Sequence, residues 1–258
     1  SEKPVTISCA DLQEMIDASD KTGKIFSVHQ NRRWDEEYLG LKKVYDSGEI
    51  GEIVRVESRV QGSHGIPGDW RGTKEHGGGM VFDWGIHLLD QLLMMMHGKV
   101  VRVHCLLDNI TNQEVDDGFR ITLTFDNGAT AYAEVGTNNF ISLPRFYMLG
   151  IDGTAIVDDW NKDTRVVRCK LRKDANVVPV KTAAGLTKTM APRDAYTIDE
   201  YTVERPRVDV HDYYRNICAA IDGTATQLVT HEQMMRDLRI IEACFESARL
   251  GQTVDVNL

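Results

Sequence analysis

The sequence predicts an α+β fold, an open sheet covered on one face by helices, and three observations carry it. Two hairpin signals, Asp126-Asn127-Gly128 and Asp152-Gly153, sit inside a stretch of alternating apolar and polar residues from about 100 to 171. Two helical patterns close the chain, over 210–221 and 230–250. A helical pattern followed at once by a short apolar run opens it, which suggests the last αβ unit of a parallel sheet.

The opening helix is expected over 8–23, with Ser8 as its cap, Asp11 at the third helical position and Gly23 at its end. Leu12, Met15 and Ile16 form its apolar face, and Ile25 to Val28 reads as the following strand. A second helix is predicted over 35–47, ahead of Gly48, and a strand over 53–60. Residues 62–79 are a Gly-rich loop containing Pro67. Residues 79–96 are apolar nearly all round, as a buried helix is. Strands follow at 100–107, 119–125, 129–135, 146–151, 154–160 and 164–171, and residues 174–205 read as a long surface excursion. Thr230 and Gln233 have the spacing of a capping box, and Gly251 ends the last helix.

With 258 residues, 42% of them hydrophobic, the chain has enough apolar material for a sizeable core. The longest apolar stretch, 86–96, is interrupted by His87, Asp90 and Gln91, and no run approaches the ~20 residues of a spanning helix. The net charge of −9 argues against nucleic acid as a partner. Five cysteines without a CxxC pair fit free thiols in a reducing, cytoplasmic compartment. The eight histidines include no H-x-x-x-H pair, so no metal site is expected. The chain opens on Ser1, inside what reads as a continuing element, so a fragment or processed form is expected.

Asp83 and His87 are four residues apart on the predicted buried helix, which places both on one face. A carboxylate beside an imidazole raises its basicity and orients it, as a general base requires. The same spacing also serves as a helix brace. Gly77-Gly78-Gly79, just before them, lets a ligand approach the helix start, but it lacks the spacing of a phosphate loop. Trp70-Arg71 in the Gly-rich loop suits a polyhydroxylated ligand through ring stacking and guanidinium hydrogen bonds, or is a surface pair.

Taken in order, Glu2-Lys3-Pro4, then His29-Gln30-Asn31-Arg32-Arg33-Trp34-Asp35, then Gly77-Gly78-Gly79-Met80-Val81-Phe82-Asp83-Trp84-Gly85-Ile86-His87-Leu88-Leu89-Asp90 resemble the Gfo/Idh/MocA family. These are oxidoreductases of the glucose–fructose oxidoreductase and inositol dehydrogenase type, and the resemblance runs from Glu2 to the last helix. It implies an N-terminal Rossmann domain for NAD or NADP. It also implies a C-terminal α/β domain whose open, mostly antiparallel sheet builds the substrate pocket and usually the oligomer interface. Residues 1–34 would be a remnant of the Rossmann domain and 35–258 the substrate-binding and oligomerisation domain. No G-x-G-x-x-G occurs, so the main dinucleotide-binding half is expected to lie outside this chain, and the chain alone is expected to be inactive.

The resemblance further implies that Lys3, Asp83 and His87 form the catalytic set. Lys3 would stabilise the reacting oxygen, His87 would take or return the hydroxyl proton, and Asp83 would orient the pocket. Lys3, Asn31 and Arg32 would border the nicotinamide. Arg32, Gln61, His64, Trp70, Arg71, Asp83 and His87 would line the substrate pocket, for a sugar, cyclitol or related polyol. A homo-oligomer through the open sheet face is expected, because the strands have two faces and helices cover one. Two other readings keep the same fold: a non-catalytic dinucleotide-sensing regulator and an interaction module.

Overall fold

The computed structural model describes residues 1–173 and 177–258. Helix α1 (Cys9–Thr22) starts at Ser8, whose hydroxyl accepts the Asp11 N–H, and ends at Gly23 in the left-handed conformation. Leu12 and Ile16 are buried, but Met15 stays 38% exposed. Residues 25–28 form no strand, because no strand among the described residues lies beside them to complete a ladder. Helix α2 (Glu36–Ser47) follows, closed by left-handed Gly48.

One nine-stranded sheet forms the body. Its strands are β1 (Ile53–Gln61), β2 (Val100–Asp108), β3 (Gly118–Phe125), β4 (Thr130–Gly136), β5 (Phe146–Gly150), β6 (Gly153–Val157), β7 (Thr164–Cys169), β10 (Ile198–Val203) and β11 (Val254–Asp255). A separate small hairpin pairs β8 (Val180–Thr182) with β9 (Gly185–Thr187). The order across the main sheet is β10-β7-β6-β5-β1-β4-β3-β2-β11. Every pairing is antiparallel except β1 with β4, which is parallel. The excursion expected over 174–205 therefore ends in a sheet strand, β10, apart from the part outside the described residues.

The two hairpins differ in kind. At the β3–β4 turn Gly128 adopts φ 87°, the conformation an Asn-Gly turn requires. At the β5–β6 turn Gly153 has ordinary φ and is needed for space, because a side chain there would press on the Val167 carbonyl and Ile50. Strand β6 stops at Val157, so Trp160 lies in the loop beyond it and not in a strand.

Alternation sends Val103, Cys105, Phe119, Ile121, Leu123, Phe125, Ala131, Ala133, Val56, Phe146 and Met148 to one buried face. That face packs under α3 (Ile86–Met95), α5 (His231–Leu250) and α2, while α4 (Asp212–Ile221) lies to the side, with Tyr213 buried against residues 27–34. The alanines of β4 leave room for the α3 segment, where Gly85 approaches the Phe119 ring. Phe119, Phe125 and Phe146 thus point inward. The outer face carries Thr122, Thr124, Tyr132, Tyr147 and Leu149 between charged residues.

Candidate active site

The stretch expected as one buried helix begins differently. Residues Val81–Gly85 form a π turn, in which the Ile86 N–H reaches back to the Val81 carbonyl, and α3 continues from there. The wider turn carries Asp83 toward the N-terminal segment. There Lys3 Nζ donates to Asp83 Oδ1 and to the Asp83 carbonyl, both at 2.6 Å. From the Gly-rich loop, Arg71 Nε donates to Asp83 Oδ2 at 2.9 Å. Asp83 is buried and holds two cations, one on each oxygen.

His87 makes no hydrogen bond to Asp83, and Nδ1 is sealed from solvent with no partner. The expectation that Asp83 raises its basicity is corrected by the electrostatics. Burial, and then the positive charges of Lys3 and Arg32, push the imidazole well below its ordinary pKa. The negative charge that would oppose this is already neutralised by Lys3 and Arg71. His87 is therefore neutral at physiological pH. Lys3 is pulled below its ordinary pKa by burial, with Asp83 opposing the shift.

The other expected residues fall around this centre. Trp70 is partly exposed, and the Arg71 guanidinium stacks 4.6 Å from its ring centroid. Gln61, His64 and Asp83 line one cavity of about 220 Å³ together with Met80, Trp84 and Thr137. The Gln61 amide is already engaged, donating to Glu134 Oε1 and accepting the Leu143 N–H. Arg32 lies over the Trp84 ring at 4.2 Å and donates to Asp35. Asn31 beside it is half-buried, with no side-chain hydrogen bond.

Sequence reasoning missed the brace beneath Arg32. Arg145 is 3% exposed, donates to Ser58 Oγ at 2.6 Å and to Gln91 Oε1 at 3.1 Å, and Gln91 Nε2 donates to the Arg32 carbonyl. Burial lowers the Arg145 pKa to about 10, so it remains a cation. Trp160 sits between the two arginines, 5.4 Å from Arg32 and 4.7 Å from Arg145. An arginine at the head of β5, whose Phe146 and Met148 face inward, was the available signal for Arg145.

Residues 38–156, from α2 to β6, match the model of the GFO/IDH/MocA C-terminal domain. An NAD-binding protein from Listeria innocua is 44% identical, with a TM-score of 0.94 over 99% of this chain and 74% of that one. The chain belongs to the Gfo/Idh/MocA family of oxidoreductases. A curated relative in this family, the scyllo-inositol 2-dehydrogenase (NADP(+)) IolW of Bacillus subtilis (strain 168), is 27% identical across 98% of this chain and 70% of its own length. The aldose–aldose oxidoreductase of Caulobacter crescentus shares the fold at 22% identity, with a TM-score of 0.77 over 99% of this chain and 71% of that one. The Gfo/Idh/MocA match spans strands β1 to β6, the π turn and α3. Lys3 and Arg32 precede it and reach the same centre through their contacts with Asp83 and Trp84.

Among the described residues no helix is long and apolar enough to cross a membrane. Nor does any cluster of three or more metal-ligating residues occur among them.

Proposed function

We propose that this chain carries the substrate side of an NAD(P)-dependent oxidoreductase, acting on a hydroxyl-bearing carbon of a sugar, cyclitol or related polyol. The observation that carries the proposal is the pairing of a charged Lys3–Asp83–Arg71 cluster with a neutral, unpartnered His87. A sensor of dinucleotide has no chemical need for such a proton acceptor.

A nicotinamide ring fits this end of the molecule on two grounds: the Arg32 guanidinium is fixed on Trp84, and the Asn31 amide is uncommitted. Lys3, Asn31 and Arg32 would hold it, and it would supply or accept the hydride. The chain's own residues do the rest. His87 takes the hydroxyl proton at Nε2, the nitrogen that is not sealed off, and returns it in the reverse direction. The Lys3 ammonium donates to the substrate oxygen as negative charge develops there. Asp83 keeps Lys3 protonated and aimed, and Arg71 fixes Asp83 from the other side. Trp84 and Trp160 limit water around Arg32. Gln61 and His64, which line the cavity beside Asp83, and Trp70, which lines the neighbouring one beside Lys3, would form the wall that meets the substrate.

The test is turnover of inositol isomers and aldoses with NAD+ or NADP+, first on the 258 residues and then on the same residues fused behind a dinucleotide-binding domain. His87→Ala is expected to lower kcat by about 10²–10⁴-fold with little change in dinucleotide affinity. Lys3→Met is expected to lower it by ~10²–10³-fold. Turnover that survives both substitutions would remove this reading.

A further inference from the structure

The π turn that presents Asp83 has no side-chain cap of its own at Met80. Its first amides are met from another part of the chain. Asp116, in the loop between β2 and β3, accepts the Val81 N–H on Oδ2 at 2.8 Å and the Met80 N–H on its carbonyl at 3.0 Å. The contact is buried, and Asp116 itself is 6% exposed. Gly79, just before the turn, adopts φ 109°, and a Cβ there would overlap Asp116 Oδ1. The Asp83 N–H in turn donates to the Gly79 carbonyl at 3.0 Å. Asp116 therefore holds Val81 through its carboxylate and Met80 through its carbonyl, and a third hydrogen bond joins the adjacent Gly79 to the backbone of Asp83.

The same loop also holds the opposite wall. Asn112 Nδ2 donates to the Gly72 carbonyl, and Glu114 Oε1 accepts the Lys74 N–H. The Arg71 and Thr73 carbonyls accept the Gly79 and Gly78 N–H groups at 2.9 and 3.0 Å. The π turn that carries Asp83 and the loop that carries Arg71 are thus both tied to residues 109–117.

We propose that Asp116 is a positioning residue for the site, fixing the Gly79–Val81 backbone so that the Asp83 carboxylate meets Lys3 and Arg71. It touches neither substrate nor cofactor and acts through Asp83. The inference deepens the reading above and rests on it, since the group it positions is one of the proposed catalytic set. Its geometric content is independent of turnover. When Asp83 shifts, Lys3 loses the bond and the charge that hold its pKa up. Each unit by which the pKa falls gives about tenfold more free amine.

The experiment is acylation of the folded 258-residue chain with a limiting amine reagent at mildly alkaline pH, with Lys3 modification read by peptide mass spectrometry. Lys42 serves as a distant reference. Asp116→Ala is expected to raise Lys3 labelling relative to Lys42 by ~10-fold. Asp116→Asn keeps an acceptor oxygen and is expected to return labelling toward the parent. Gly79→Ala drives a methyl group against the same carboxylate and is expected to raise labelling too, which keeps the test available if Asp116→Ala does not fold. Unchanged Lys3 labelling in folded Asp116→Ala or Gly79→Ala overturns the proposal. Turnover measured in parallel bears on the catalytic reading alone: labelling that rises as stated in a chain without turnover leaves the positioning role standing.

Discussion

At the scale of single residues, the site divides between groups that are spent and groups that are free. Asp83 is spent on two cations and His87 is left uncharged, so the basicity of the imidazole is set first by burial and then by Lys3. Asp116 has the opposite titration behaviour. Burial pushes its carboxyl up to about 7, against the pull of the amides it accepts, with Asp117 adding like charge. Between an ordinary 3.8 and about 7 the unfolded chain ionises this acid while the folded protein holds it protonated. Its contribution to stability thus declines as pH rises through that window and levels off above it. Urea titrations of the parent and Asp116→Asn should diverge accordingly, the difference between them changing by on the order of a few kcal/mol from acidic to neutral pH. A pH-independent difference would remove this assignment. Lys3, Asp83 and His87 could be picked out from the sequence because they sit in short recognisable strings. Asp116 and Arg145 could not, because their meaning lies in partners 35 and 54 positions away in the chain.

At the scale of elements, the helix ends followed local chemistry closely. Ser8 and Gly23 bound α1, and Thr230 with Gln233 forms a complete capping box on α5. Thr230→Ala is expected to cost about 1 kcal/mol, read as a lower denaturant midpoint at unchanged slope. Elements that depend on neighbours read less well. Residues 25–28 have strand composition but no ladder to join, and β10 and β11 are edge strands made by what they pair with. The π turn escaped because an all-apolar run fixes burial without fixing the pitch of the turn that begins it. Gly153 shows the same limit: an Asp-Gly pair signalled a hairpin correctly, yet the glycine is there for a close approach and not for its φ.

At the scale of the whole molecule, the α+β architecture was readable from the hairpins and the terminal helices, while the strand order was not. The outer sheet face is neither plainly apolar nor plainly polar. Arg55, Glu57, Arg59 and Glu134 form a ladder of ion pairs, and Tyr147 and Tyr132 lie beside Arg55 and Arg59. We propose that a second copy covers this face, its aromatic rings supplying contact area and its paired charges setting the register. Light scattering at low micromolar concentration is expected to give at least twice the 29.1 kDa of one chain. A clean monomer would refute the assembly.

The single parallel pairing also has a consequence for how the chain reaches this structure. On one side of β1, strands β2, β3 and β4 follow one another as antiparallel neighbours; on the other side β5, β6 and β7 do the same. Each group closes over short loops and can assemble early. Strand β1 enters between them from far upstream, setting Val56 opposite Ala131 on one side and Met148 on the other. Closing those long loops is the slow entropic step, so β1 should dock last. Pulse-labelling hydrogen exchange during refolding should show the amides of β3 protected before those of β1, and simultaneous protection would contradict this order. Until β1 arrives, the facing edges of β4 and β5 are unpaired, so refolding yield is expected to fall as protein concentration rises.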